Sequence, residues 1–330
     1  MMNSETTAPR SVDMVIYPEF KSFEAIGPMT VFTYANKHLE TQGKSSGYEV
    51  RIVSTRIGAV QSDTLMSLHA TSALNCNELP HTVMIVGAHE IERAVDQNPE
   101  IVQWTKDIAP KVERFAALCS GAFFLAAAGL LNGKRATTHW RMADVLQKSH
   151  PEIEVEIDSI FIKQDNLWTS AGVSASVDLA LAFVEQDFGH ELALDVARDL
   201  VIFLKRPGGQ SQFSANLTSQ MTHSTCMRDV QEWVIANIDK KITIPQMAEH
   251  AAMSLRNFTR LFNKEAGLKP SEFLEKARID KARRLLSESE LPLKSIAFKC
   301  GFATADQMRV GFRKHLSVTP KEYRDRFVGS

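Results

Sequence analysis

Residues 244–274 read IPQMAEHAAMSLRNFTRLFNKEAGLKPSEFL, and residues 293–324 read LKSIAFKCGFATADQMRVGFRKHLSVTPKEYR. The two stretches are one unit written twice. Met247-Ala248 match Ile296-Ala297, and Ala252-Met253 match Gly301-Phe302. One residue is then added, so that Phe258, Phe262, Lys264, Pro270 and Phe273 fall on Met308, Phe312, Lys314, Pro320 and Tyr323. A self-match of this length indicates a duplicated supersecondary unit. Each copy predicts a short helix closed by a small residue, a tight turn and a second helix. Apolar side chains at i, i+3 and i+4 (Phe258, Leu261, Phe262; Met308, Phe312) mark the buried side of that second helix.

The opposite face carries the chemistry. In the first copy it shows Arg256, Asn257, Thr259, Arg260 and Asn263, with Lys264 beside them. In the second it shows Asp306, Gln307, Arg309 and Arg313. Arg, Asn and Gln can each make two hydrogen bonds to a base edge, and Arg and Lys also meet phosphates. A lone basic amphipathic helix is more often a solvated face; two of them, each after a helix and a turn, point to DNA. Between the copies, Ser271–Leu286 is an unbroken helical pattern, about 24 Å long at 1.5 Å per residue. Such a rod can hold two recognition helices about one DNA turn, roughly 34 Å, apart.

Residues 228–327 resemble the paired helix-turn-helix domain of AraC/XylS-type regulators, most closely in IAFKCGFATADQMRVGFRKHLSVTPKEYR. The sequence departs at Met308, where an aromatic is usual, and at Ser317, where Gly is usual. By motif position the resemblance places base reading on Arg256, Thr259 and Arg260, and on Ala305, Asp306 and Arg309.

Charge follows the same division. From Arg228 onward there are 20 Lys+Arg against 13 Asp+Glu, a net of +7, while residues 1–227 hold 18 against 26, a net of −8. Only one part of the chain is expected to meet nucleic acid. The four cysteines show no C-x-x-C pair and no metal-ligand spacing, so neither a metal nor a cofactor is expected. The polar amino terminus has no signal-peptide pattern, and the uncharged run Phe115–Gly133 is broken by Ser120, Gly121 and Gly129. A cytoplasmic protein with reduced thiols and no membrane segment is expected.

Within residues 11–206, apolar runs at Val12–Tyr17, Tyr48–Ser54, Thr82–Gly87 and Phe115–Leu118 predict strands. They alternate with helical spacing at Phe23–Tyr34 and Ile91–Ala109, the pattern of a doubly wound, flavodoxin-like α/β sheet. A hairpin is expected from Ile157–Ile162 and Leu167–Ser170, followed by helices at Val177–Phe188 and Glu191–Leu204. The apolar side of the last (Leu194, Ala197, Leu200, Val201, Leu204) suits either core or a dimer seam. Residues 1–10 read as a disordered start, and residues 207–227 as a polar linker.

Ligands in such sheets gather beyond the carboxyl ends of the strands. There ALCSGAFFLAAAGLL makes a strand, a sharp turn at Cys119-Ser120-Gly121 and a helix. This elbow predicts an exposed thiol of lowered pKa at Cys119. Glu24 in FEAIGP and His139 in ATTHW are candidates to meet it. Together with Ser120 and Gly121 they suit either nucleophilic and acid–base chemistry or a polar pocket that senses a ligand.

These segments, with TSAGVSASVDLALAFVE and KRPGGQSQF, resemble the ThiJ/PfpI branch of the class I glutamine amidotransferase-like superfamily. The form fused to AraC heads, the GlxA-type regulators, is the nearest likeness. It implies a promoter-binding transcription activator, a homodimer acting with RNA polymerase, whose effector is a small metabolite such as an amino acid or amine. Cys119 is then the elbow cysteine, Glu24 the acid facing it where Asp is common, and His139 the nearby imidazole; Ser176 stands where Gly is common. A Cys-dependent hydrolase, hydratase or glyoxalase-like enzyme tethered to DNA is the competing reading.

Overall fold

In the computed structural model, residues 8–44, 47–204, 225–316 and 318–328 are described. They divide into two compact units on either side of residues 206 and 207. The expected disordered start lies outside the described residues up to residue 7, as do most of the expected linker, the KRPGGQSQF motif and Ser317.

The first unit is built on one sheet. Its strands are β1 (Arg10–Val15), β2 (Tyr48–Ser54), β5 (Ser72–Ala73), β6 (Thr82–Ile85), β7 (Arg114–Ala117), β10 (Phe161–Gln164) and β11 (Leu167–Ser170). They lie in the order β10-β11-β7-β6-β1-β2-β5. Every pairing is parallel except β10 with β11. Burial on both faces explains why β6 and β7 are buried at every position and, after Thr82 and Arg114 at their starts, read as continuous apolar or small runs rather than alternating ones. Two small pairs stand apart: β3 (Gly58–Gln61) with β4 (Ser67–Ala70), and β8 (Arg135–Ala136) with β9 (Glu154–Val155). The sequence reading missed all four.

Helices α1 (Ser22–Thr41), α2 (Ile91–Gln97), α3 (Pro99–Ile108), α4 (Ala122–Ala127), α5 (Ala143–Ser149), α6 (Ala175–Phe188) and α7 (His190–Asp199) complete the unit. A Cβ on Gly27 would lie 2.8 Å from Val177, so glycine there lets α1 and α6 pack closely. At the amino ends of the strands, the buried guanidinium of Arg114 grips Asp187 through two bonds of 2.7 and 3.0 Å. The Tyr48 hydroxyl donates to the same carboxylate at 2.6 Å. Removing Asp187 would leave the Arg114 guanidinium buried without its carboxylate, whereas Asp187 keeps Arg10 at 3.6 Å as a second cation.

Three expectations are corrected. The span Ile91–Ala109 is two helices, broken at Asn98 ahead of Pro99, whose ring disfavours helical backbone in the preceding residue. The hairpin's first strand begins at Phe161 rather than Ile157. Finally, α7 stops at Asp199, because Val201 adopts φ +55° and the chain leaves the helix there. Its core side is Leu192, Ala193, Val196 and Ala197, while Val201, Ile202 and Phe203 stand exposed.

Among the described residues the second unit is all helical: α8 (Thr225–Ala236), α9 (Ile244–His250), α10 (Leu255–Ala266), α11 (Pro270–Glu288), α12 (Leu293–Lys299), α13 (Ala305–Leu316) and α14 (Pro320–Val328). Thr225 already begins α8 and Met227 is fully buried, so the end of the expected linker belongs to this unit. Two separate cores form. One gathers Met247, Phe258, Phe262 and Phe273, the other Ile296, Phe302, Met308, Phe312 and Tyr323. Helix α11, 19 residues and about 28 Å long, serves both, giving Leu274 and Ala277 to the first and Ile279, Ala282 and Leu286 to the second.

The duplication extends to the backbone. Ala252 and Gly301 both take positive φ, +53° and +74°. The next residue in each copy, Met253 or Phe302, donates its N–H at 2.9 Å to the carbonyl of Ala248 or Ala297.

Candidate functional site

Turns after β1, β6, β7 and β11 converge at the carboxyl ends of the strands. The chain leaves β7 through Leu118, and Cys119 then adopts φ +52°. A residue with a Cβ enters that left-handed region at a cost of order 1 kcal/mol. One 3-10 turn, Cys119–Gly121, leads into α4. Gly121 has no room for a side chain, since a Cβ would lie 2.7 Å from the Ile85 carbonyl oxygen. Ser120 is buried and tied to Ala88: its hydroxyl donates to the carbonyl at 2.9 Å and accepts from the N–H at 3.2 Å. Both residues therefore hold two loops together. Gly87 completes the lock, for a Cβ there would meet Ser120 Oγ at 2.4 Å and Glu24 Oε2 at 3.1 Å.

Cys119 is only 1% exposed, which corrects the expectation of an accessible, acidic thiol. Burial pushes the thiol well above its ordinary range, the Glu24 carboxylate adds to that, and the Lys21 ammonium offsets only part. The elbow geometry is present, but α4 begins inside the core, where the desolvation cost of a thiolate outweighs any benefit from the helix end. Glu24 is fully buried, and its Oε2 accepts the Gly87 N–H at 2.7 Å. Burial lifts its carboxyl to about 7 against the pull of Lys21 and of that N–H.

Lys21 was missed by the sequence reading. Its Nζ donates to Cys119 Sγ at 3.3 Å and stands 3.7 Å from Glu24 Oε1. Burial works against the ammonium, and Cys119 and Glu24 more than restore it. The signal was there in the i,i+3 spacing of Lys21 and Glu24, which becomes visible once the helix is started at Ser22 rather than Phe23. Ser170, at the end of β11, was missed too; its hydroxyl accepts the Cys119 N–H at 3.3 Å.

His139 approaches the cluster without joining it. Among the described residues no hydrogen bond links it to Cys119; the neighbouring Thr138 hydroxyl donates instead to the Cys119 carbonyl at 2.9 Å. The His139 Nδ1 accepts the Arg141 N–H at 3.1 Å, its ring stacks on Trp140, and it packs against Gly172. Burial, then Lys21 and Arg141, lower it to about 4, so the imidazole is neutral at pH 7. The cluster is thus a protonated thiol between an ammonium and a carboxyl that can change charge near neutrality. No group of side chains with metal-ligand geometry occurs among the described residues.

The helical unit builds the other candidate surface. Thr243 and Gln246 form a capping box at the start of α9, and Ser254 caps α10 by accepting the Asn257 N–H. On α10, Phe258 and Phe262 are buried, while Arg256, Asn257, Arg260, Asn263 and Lys264 are exposed. Arg260 donates to Asn257 Oδ1 at 3.1 Å. Thr259 is half-buried, and its hydroxyl is spent on the Leu255 carbonyl at 2.8 Å. On α13, Asp306, Gln307, Arg309, Arg313 and Lys314 are exposed. Asp306 pairs with Arg309 at 3.1 Å. Gln307 uses its side-chain oxygen at the helix start, accepting the Ala303 N–H at 3.1 Å. Glu275 of α11 holds Lys314 at 2.5 Å and His315 at 3.0 Å, which fixes the end of α13.

Comparison with known proteins agrees with both halves. The DJ-1/PfpI family matches residues 10–186, more than half of the chain, and a helix-turn-helix domain matches residues 247–326. HTH-type transcriptional regulator CdhR of Pseudomonas aeruginosa is 29% identical over 277 residues, 84% of this chain and 82% of that one. HTH-type transcriptional regulator GlxA of Rhizobium meliloti is 26% identical over 280 residues, 84% and 86% of the two chains. More distantly, isonitrile hydratase of Pseudomonas putida is 23% identical over 183 residues, 55% of this chain and 74% of that enzyme. The crystal structure of a THiJ/PfpI family protein from Pseudomonas syringae shares the fold, with a TM-score of 0.54 at 22% identity over 76% of this chain and 92% of that one.

A flavodoxin-like α/β domain followed by two helix-turn-helix units defines a DNA-binding transcription regulator. The chain belongs to the DJ-1/PfpI family and carries an AraC-type head. No helix among its described residues is long and apolar enough to cross a membrane.

Proposed function

We propose that the α/β domain is a non-catalytic sensor of a small metabolite, an amino acid or amine, that sets how the helical head engages promoter DNA. The carrying observation is the state of Cys119. A thiol that is 1% exposed, held protonated by burial and unbonded to the neutral His139 lacks the access and the imidazole partner of a Cys–His nucleophile. The buried Lys21–Glu24–Cys119 cluster lies at the carboxyl ends of the strands, where ligands of such sheets gather, and a ligand that favours one domain arrangement would bias DNA binding. In this reading the regulator works as a homodimer and activates transcription with RNA polymerase.

The test is Cys119→Ala, made alongside assays of the wild type on amides, aldehydes and isonitriles. Ligand response and promoter binding are expected to survive, and wild type to show no turnover. Turnover abolished by Cys119→Ala would favour the tethered hydratase or hydrolase, a reading to which the similarity to isonitrile hydratase gives some weight.

A further inference from the structure

The two recognition helices have the same length and register but not the same chemistry. Both α10 and α13 contain 12 residues. Their alignment is fixed from the inside, because the fully buried Phe258 and Phe262 correspond to the fully buried Met308 and Phe312. The solvent stripe at i, i+3, i+4 and i+7 is therefore Arg256, Thr259, Arg260 and Asn263 in the first helix. In the second it is Asp306, Arg309, Val310 and Arg313. Val310 takes the place of Arg260.

Val310 is 62% exposed, on the same stripe as the ion-paired Asp306 and Arg309. Nothing in the fold asks for it. The α13 core is made by Met308, Gly311 and Phe312, and Gly311 brings α13 against Ile279 of α11 so closely that a Cβ would lie 2.9 Å away. A β-branched residue is also a poorer helix former than the straight-chain polar residues available for a solvated position. An isopropyl group can neither donate nor accept a hydrogen bond, so on a base-reading stripe the base feature it can recognise is the thymine C5-methyl in the major groove.

We propose that Val310 is a specificity-determining residue that packs on a thymine methyl, so the head reads two unlike half-elements. The first is read by the guanidinium of Arg260, the second by an apolar contact beside Arg309. An operator built this way is asymmetric and orients the head on the promoter. The inference rests on the assignment of these stripes as base readers.

Sites are first selected from random duplex DNA with the full-length chain, and each thymine of the second half-element is then replaced by deoxyuridine, which removes the methyl alone. One thymine is expected whose replacement weakens wild type about four-fold, the value of one buried methyl-sized group. Val310→Ala should bind the two duplexes alike, and Val310→Arg should shift selection at that base pair from T·A toward G·C. No sensitive thymine, or a sensitivity that persists in Val310→Ala, overturns the inference while Arg260→Ala still relaxes the first half-element. Equal binding to every sequence, unaltered by either Arg260→Ala or Val310→Ala, would overturn the base-reading assignment itself.

Discussion

Glu24 shows how one residue couples the sensor cluster to pH. Its carboxyl is raised from an ordinary 4.5 to about 7 by burial. The folded state therefore holds a proton that the unfolded chain releases, and the associated stability is fully present below 4.5 and lost as pH rises through 7. The linkage is worth about 3 kcal/mol. His139, lowered to about 4, acts in the opposite sense: its contribution is present above 6.5 and lost as pH falls through 4. Melting temperature against pH in wild type alone would mix the two. The difference between wild type and Glu24→Gln isolates the carboxyl: it should favour wild type least at pH 8 and grow toward pH 5. A difference that does not change with pH would remove the proton from the account. At the same scale, Arg256→Ala and Arg260→Ala should each cost about 1–3 kcal/mol at a selected site and relax sequence preference, while Lys264→Ala weakens all DNA alike. Competition binding with specific and random duplexes separates the two behaviours.

Turns and helices carry the next set of consequences. Ala252 and Gly301 occupy the same turn in the two helix-turn-helix units at φ +53° and +74°. Ala252→Gly relieves a left-handed alanine but adds freedom to the unfolded chain, so its effect should stay within about 1 kcal/mol. Gly301→Ala adds both the left-handed penalty and a Cβ placed 2.3 Å from the Ile238 carbonyl oxygen, and should cost more than about 2 kcal/mol. Denaturant midpoints of the two variants test the contrast, and equal losses would mean that the turn relaxes freely. Gly121→Ala belongs with Gly301→Ala. A Cβ 2.7 Å from the Ile85 carbonyl has nowhere to go without parting β6 from the elbow, and about 1–3 kcal/mol should be lost from the α/β domain.

For the molecule as a whole, charge governs encounter with DNA. The net +7 of residues 228–330 against −8 before them confines the attraction to the head. Affinity should fall steeply with salt, by a slope of about 0.9 per phosphate neutralised, and Lys264→Ala should reduce that slope by about 1. Affinity that is flat in salt would be incompatible with a helical face that meets phosphates.

Periodicity, duplication and charge were enough to determine the class of the fold, because each is written locally. Apolar runs alternating with helical spacing require a sheet covered by helices on both faces, and the repeated Phe258/Phe262 and Met308/Phe312 pattern fixes the register of two recognition helices before any coordinates exist. The strand–turn–helix at Cys119 was legible for the same reason. What the elbow does with its thiol was not. Exposure and pKa depend on what packs around the sulfur, and that is decided by Lys21 and Glu24, which follow β1, and by Ser170, which ends β11 on the other side of β7, residues 98, 95 and 51 positions away in the chain. Desolvation has no sequence signature. Likewise Gln307 and Thr259 read as free base-edge groups until the structure showed their oxygens engaged locally, and Val310, which the register already aligned with Arg260, stood out only once the structure showed it exposed on the stripe of Asp306 and Arg309. Composition and spacing thus specify which residue types are available; only the tertiary structure decides which are buried, which are already satisfied, and which are left to meet a ligand or a base.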